Sequence, residues 1–305
     1  MIIKPRVLIF LLPAFLLPTL LQVYSRSVFS EETKIKHIEN IELKSLRRCQ
    51  PLDIVVFKKR IYLTNPAGAS RRRGVLIYDY ITEDISAIRR TKFSWPSRLA
   101  INPLDNGGVY VVDSQQSCVK VFDLKGNFLF KFGSPGSGRG EFRQPQGITI
   151  NPRRKWIYIA DLGNSRVQVF DLEGNYLFEF GGFFRPQSIT VDNEGKVYVV
   201  EPLTCAIKIY DATGTKLVRK FGDTLLFSRP EGIAVDSQMN IYVVDTVQNN
   251  IQVFNSRGIP LYLLGKSGNA NGEFNSPNGI FIDDKDKVYI ADTNNQRVQI
   301  FEIVK

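Results

Sequence analysis

The chain has one histidine, three cysteines, two methionines and two tryptophans in 305 residues. Each scarcity removes a class of chemistry. A Ser-His-Asp or Cys-His centre would have to be built on His37, and a site of several imidazoles cannot be built at all. Cys49, Cys118 and Cys205 are too far apart for the short ligand spacings of a zinc site, and an odd number cannot pair completely. They are expected as small packing residues, because a chain of this length buries enough core to need no disulfide framework. Beyond residues 7–21 there is no long apolar run, and nothing later keeps a 3.6-residue apolar period over a helix length.

The single apolar run is informative. Lys4 and Arg6 precede residues 7–21, which are apolar except at Pro13, Pro18 and Thr19. Fifteen residues fit the upper end of a signal-peptide core and fall short of the roughly 20 that span a bilayer. Ser25, Ser27 and Ser30 offer cleavage sites, and an uncleaved anchor reaching Val23 or Tyr24 is the alternative. Residues 1–30 are therefore read as a signal peptide or membrane anchor. Residues 31–305 are then expected outside the cytoplasm: periplasmic, secreted or membrane-anchored.

What the chain has in abundance is a beat. Six times a tyrosine is followed three residues later by Asp or a substitute: Tyr62/Asn65, Tyr110/Asp113, Tyr158/Asp161, Tyr198/Glu201, Tyr242/Asp245 and Tyr289/Asp292. Successive tyrosines are 48, 48, 40, 44 and 47 residues apart. Each period holds short β-favouring runs separated by Gly, Asn and Asp turns, as in Trp156 to Ala160, Val167 to Phe170 and Tyr176 to Phe180. Four strands per period of about 40–48 residues make one propeller blade. The fold is predicted to be all-β, a six-bladed β-propeller of four-stranded antiparallel blades, with units starting near Pro51, Pro96, Pro145, Pro186, Pro230 and Pro277. The sixth unit ends before a fourth strand, so residues 36–44 are predicted to close the last blade from the N-terminal side.

The pattern Gly272-Glu273-Phe274, Pro277-Asn278-Gly279-Ile280, Ala291-Asp292, Asn295, Arg297-Val298-Gln299-Ile300-Phe301 resembles the NHL repeat. The third unit repeats it with Gly140-Glu141-Phe142, Pro145, Gly147-Ile148, Asp161, Asn164 and Arg166 to Phe170. The resemblance covers residues 51–305 and implies a six-bladed propeller. It implies no single activity, because such a fold hosts many functions. The histidine-rich metal site of amidating lyases with related propellers cannot exist here. Gluconolactonase-type relatives hold a divalent metal in the channel through oxygen and amide ligands, for which Asp53, Glu231 and Asn278 are of the right kind.

A residue present in every blade is explained by a job every blade has. The tyrosines are expected to pack between sheets and the aspartates to accept backbone N–H groups, with Arg166 and Arg297 pairing to Asp161 and Asp292. Function is sought where blades differ. Asp53, Arg98, Gln146, Gln187, Glu231 and Asn278 flank the leading prolines, joined by Arg185 and Arg229, and are expected to converge at one channel mouth as a ligand site. A long loop after Asn65 carries Arg71, Arg72 and Arg73, read with Arg47, Arg48, Lys58, Lys59 and Arg60 as one basic region. Forty basic against 30 acidic residues give a net charge of +10. The leading expectation is an exported, non-enzymatic scaffold binding a protein or glycan, with no cofactor. The alternatives are a metal-dependent hydrolase or lactonase, and binding of nucleic acid or an anionic surface by the basic patch. Nucleic acid conflicts with export.

Overall fold

The computed structural model describes residues 35–46, 49–67, 73–88, 91–104 and 107–303. The leader, Arg47, Arg48, Arg71 and Arg72 lie outside the described residues. Six four-stranded antiparallel sheets follow one another in sequence, and no α-helix occurs among the described residues. Blade 3 shows the pattern: Ile148–Asn151, Trp156–Asp161, Arg166–Phe170 and Tyr176–Phe180, from the axis outward. The first strand of each blade starts, and the second ends, on what we term the upper face. The hairpins joining strands one to two and three to four lie on the lower face.

The last blade is completed from the N-terminal side. Ile35–Glu42 pairs antiparallel with Arg297–Ile303, so blade 6 has the order 35–42, 297–303, 287–292, 277–282. Ile41 and Leu43 from this segment are buried against Ile54, Ile61 and Leu63 of blade 1 and Val298 and Ile300 of blade 6. The closing strand even copies a local irregularity. In blades 2 to 5 the fourth strand carries a bulge one residue after it pairs with the last residue of the third strand, and Ile35–Glu42 has the same break between His37 and Glu39.

The core is six separate layers, one between each pair of neighbouring blades. The repeated tyrosines sit in them, each packed towards the following blade. Their hydroxyls have two solutions. In blades 1 to 3, Tyr62, Tyr110 and Tyr158 donate to backbone carbonyls of Leu124, Leu172 and Ala212 in the next blade, at 3.3, 2.9 and 2.8 Å. In blades 4 to 6, Tyr198, Tyr242 and Tyr289 donate to Asp192, Asp236 and Asp283, six residues earlier in their own blade. Burial lifts the hydroxyls of Tyr110 and Tyr158 to pKa values of about 12. All three cysteines are buried.

Removing the closing strand exposes the edge of Arg297–Ile303 and uncovers a core layer. Deleting residues 31–46 is expected to lower the melting temperature by about 10 °C or more, at about 2–4 °C per kcal/mol for a chain of this size. A calorimetric scan of unchanged midpoint would show that the ring does not need this strand.

Candidate functional site

In blades 2 to 6 the carboxylate that ends the second strand fastens the linker entering its own blade, and in blade 1 Asn65 accepts the Gln50 N–H in the same way. Asp161 accepts the Arg143 backbone N–H at 2.8 Å, and its other oxygen accepts Arg166 Nε, Asn164 and Gln168. Asp292 repeats this with Asn275 N–H, Arg297, Asn295 and Gln299. Blade 2 holds Asp113 between Ser94 and Trp95 N–H groups with Lys120 Nζ at 2.9 Å, and blade 4 holds Glu201 with Lys208 at 2.8 Å. Sequence spacing located the arginines correctly; the main backbone partners lie in the preceding linker as well as the following turn. The glycine opening that linker has a steric cause. Gly133 has φ of +84°, and a Cβ there would meet the Phe142 ring at 2.3 Å.

Blade 5 departs from the rule. Asp245 is buried and accepts N–H groups from Ser228, Arg229, Val247 and Gln248, yet Asn250 and Gln252 stand where other blades have a cation. Burial therefore raises its pKa despite those donors. Nearby, Asn250 Oδ1 and Gln252 Oε1 are buried without a hydrogen-bond partner. In blades 3 and 6 the matching Gln168 and Gln299 oxygens accept Gly140 and Gly272 N–H at 2.9 Å, and the blade 5 linker has no such glycine.

At the axis, the residues beside the leading prolines meet each other. Arg98 Nη1 lies 2.9 Å from Asp53 of blade 1, and Nη2 donates to Asn278 of blade 6 at 2.9 Å and to the Glu231 carbonyl of blade 5 at 3.4 Å. The second Asp53 oxygen accepts Leu99 N–H at 3.0 Å. The Glu231 carboxylate lies 3.9 Å from Arg98, accepts Arg229 Nε at 2.7 Å and takes Gln187 of blade 4. Arg98, Asp53, Glu231 and Asn278 are all buried. Burial raises the Glu231 pKa against the pull of Arg98 and Arg229. Six of the eight predicted mouth residues are thus bonded to one another. The guanidinium occupies the space between the acceptors that a metal would need. Gln146 and Arg185 stand apart from this network.

Below the plug runs a channel of about 540 Å³, reaching from Asp53 and Arg98 to Asp192, Asp236 and Asp283 on the lower face. Those aspartates are occupied by their own hairpins. Asp236, for example, accepts Gln238 and Asn240 N–H at 2.9 and 2.8 Å. No group of three or more His, Cys, Asp or Glu placed to hold a metal occurs among the described residues.

Gln146 and Arg185 line a second cavity, about 780 Å³, on the upper face between blades 2, 3 and 4. Arg143, Gln144, Trp95 and Leu162 line it too. Arg143, Arg185, Gln144 and Trp95 are exposed, and neither arginine makes an ion pair among the described residues. Gln144 and Arg185 have φ of 51° and 52°, but Ser276 before Pro277 has 49°, so this backbone belongs to blade geometry and not to the cavity. The cavity offers two free guanidiniums and several amides beside an indole and a leucine. That suits an anionic group attached to an apolar one.

The proposed single basic region is corrected. Arg73 lies on the upper face, where it donates to the Ser94 carbonyl at 3.3 Å. Lys58 and Lys59 form a lower-face hairpin, and Arg60 is tied to Asp79 at 2.9 Å. Successive hairpins of a blade point to opposite faces, so neighbours in sequence are separated. His37 is on the outer closing strand, bonded to Asn40 at 2.9 Å and edge-on to Phe301.

Comparison with known proteins agrees with this fold. A family described as a 6-bladed beta-propeller matches residues 100–180, and the NHL repeat matches residues 227–254 and 274–301. The chain carries NHL repeats on a six-bladed propeller. Protein brain tumor of Drosophila melanogaster is 35% identical over 134 residues, covering 43% of this chain and 13% of that protein. Virginiamycin B lyase from Staphylococcus aureus superposes with a TM-score of 0.64 at 15% identity, over 88% of this chain and 99% of that one. A catalytically inactive variant of that lyase, with a histidine changed to alanine, superposes with a TM-score of 0.62 at 17% identity, over 88% of this chain and 89% of that one. An auxiliary nutrient binding protein from Bacteroides thetaiotaomicron gives a TM-score of 0.63 at 14% identity, over 84% and 69% of the two chains. At these identities the solved structures speak for the fold alone.

Blade 5 gives a stability test. The folded pKa of Asp245 lies above its unfolded value, so the folded chain holds an extra proton between the two, and stability falls as pH rises through that window. Gln252→Lys supplies the cation that Lys120 and Lys208 provide in blades 2 and 4, and removes the orphaned oxygen. It is expected to stabilise by about 1–3 kcal/mol at pH 7, and by less at pH 4, in urea unfolding. An equal gain at both pH values would show that Asp245 does not titrate in this way.

Proposed function

We propose that the protein is an exported, non-catalytic binding propeller that takes a partner on its upper face, at the cavity between blades 2, 3 and 4. The observation that carries this reading is the contrast between two sets of polar groups. Those at the axis are spent on each other, whereas Arg143 and Arg185 are exposed and unpaired beside Trp95 and Leu162. The preferred partner is an extended protein segment bearing carboxylates next to an apolar side chain. Guanidiniums recognise carboxylates in bidentate fashion, and the indole supplies the apolar contact.

Catalysis at the axis is disfavoured by the same contrast. A hydrolase metal would have to displace the Arg98 guanidinium from Asp53 and Asn278. The Staphylococcus lyase loses activity in a histidine-to-alanine variant, and the single histidine of this chain is on the rim. Similarity to an auxiliary nutrient binding protein is compatible with a binding role. Export rests on the character of residues 1–30.

The test is photo-crosslinking in the native cell envelope. A benzophenone amino acid at Gln115, on the cavity wall, should capture a discrete partner, and the same group at Thr190, inside the channel, should not. Arg143→Glu with Arg185→Glu should lower capture at Gln115 at least 10-fold while the melting temperature holds. Capture from Thr190 alone would move the site into the channel.

A further inference from the structure

The exposed apolar residues fall into two sets. Trp95, Phe184, Leu203, Leu225 and Val247 are in upper-face linkers and turns. The other set lies on the outer lower rim, and it includes one residue from every blade: Ile81, Leu129, Leu177, Val218, Ile259 and Ile38 for blades 1 to 6, between 41% and 72% exposed. Four of these share one backbone position. Leu129, Leu177, Val218 and Ile38 are the bulge residues of the fourth strands, as the pairings Phe122–Phe128, Phe170–Tyr176, Tyr210–Leu217 and Phe301–His37 establish. Ile81 and Ile259 sit in the hairpins that lead into the fourth strands of blades 1 and 5.

A bulge protects a sheet edge from pairing with a foreign strand, but protection asks only for the kink and favours a charged residue. An aliphatic side chain lifted into solvent in blade after blade exceeds that need. A ring of apolar residues around one end of the molecule marks an interaction surface. Chain connectivity points to its occupant. The chain reaches the propeller at Ile35, on this same rim, and the apolar run of residues 7–21 stops only 13 residues earlier. At about 3.3–3.6 Å per residue that connection spans at most about 45 Å.

We propose that the lower rim rests on a lipid bilayer to which residues 7–21 tether it, with the six rim aliphatics in the interfacial layer. The upper-face cavity then points away from the membrane. Apolar insertion, not charge, makes the contact, because acidic and basic residues such as Asp84, Glu173, Lys125 and Lys216 are interspersed in the same hairpins. This inference stands independently of the upper-face reading, whose crosslinks neither outcome below would alter.

The experiment reconstitutes the full chain into phosphatidylcholine vesicles that contain a lipid with a carbene-generating diazirine near its glycerol backbone. Label is read by peptide mass spectrometry. Peptides carrying Leu129, Leu177, Val218 and Ile259 should be labelled at least fivefold above those carrying Trp95, Phe184 and Leu225. The pattern should persist in about 1 M salt, where the Debye length is about 3 Å. The quadruple variant Ile38→Ser, Leu129→Ser, Leu177→Ser, Val218→Ser should lose the rim label while residues 7–21 keep theirs. Single variants at Leu177 and Ile81 provide the same comparison should the quadruple variant not fold. Label confined to residues before Ile35, or equal label on both faces, would overturn the proposal.

Discussion

Among the described residues, Arg98 is the side chain that ties its own blade to blades across the axis. Neighbouring sheets of a propeller are held by their facing apolar residues, and each core layer knows only its own pair. At the axis a single guanidinium from blade 2 reaches blades 1, 5 and 6, and Glu231 extends the connection to blade 4. Ser97 Oγ, one residue before Arg98, donates to the Gln146 carbonyl of blade 3 at 3.0 Å. Charges this deep are costly unless every lone pair and proton is used. The planar, five-donor geometry of arginine allows several acceptors to be used at once. The mouth of the channel is in consequence a plug.

That constraint decides where binding can take place. A ring has two faces and one axis, and with the axis filled and the lower channel aspartates committed to their own turns, free polar capacity remains on the upper face. The apolar rim of the lower face complements this arrangement: one end of the ring is suited to a surface and the other to a partner.

Much of the fold was legible because its signals are local or strictly periodic. The Tyr-x-x-Asp beat, the Asp161–Arg166 and Asp292–Arg297 pairs five residues apart, and the missing sixth fourth strand all lie in spacings that a strand-and-turn reading interprets directly. The site was less legible. Asp53, Arg98, Glu231 and Asn278 are separated by up to 225 residues and meet only because the ring closes, so convergence at the axis could be expected but not the mutual bonding. The basic residues of the first unit were grouped by sequence proximity, which alternate hairpins defeat. One signal was present and overlooked: an aspartate six residues before the tyrosine in units four, five and six, which predicts where those hydroxyls bond.

The direct test is Arg98→Met, which keeps much of the volume and removes the charge. Loss of one partner from a buried ion network costs about 3–5 kcal/mol, so urea unfolding should show a fall of that order, while crosslinking from Gln115 in the upper-face cavity continues in the folded protein. Unchanged stability together with lost capture would contradict the account and make the axis, after all, the place where the partner binds.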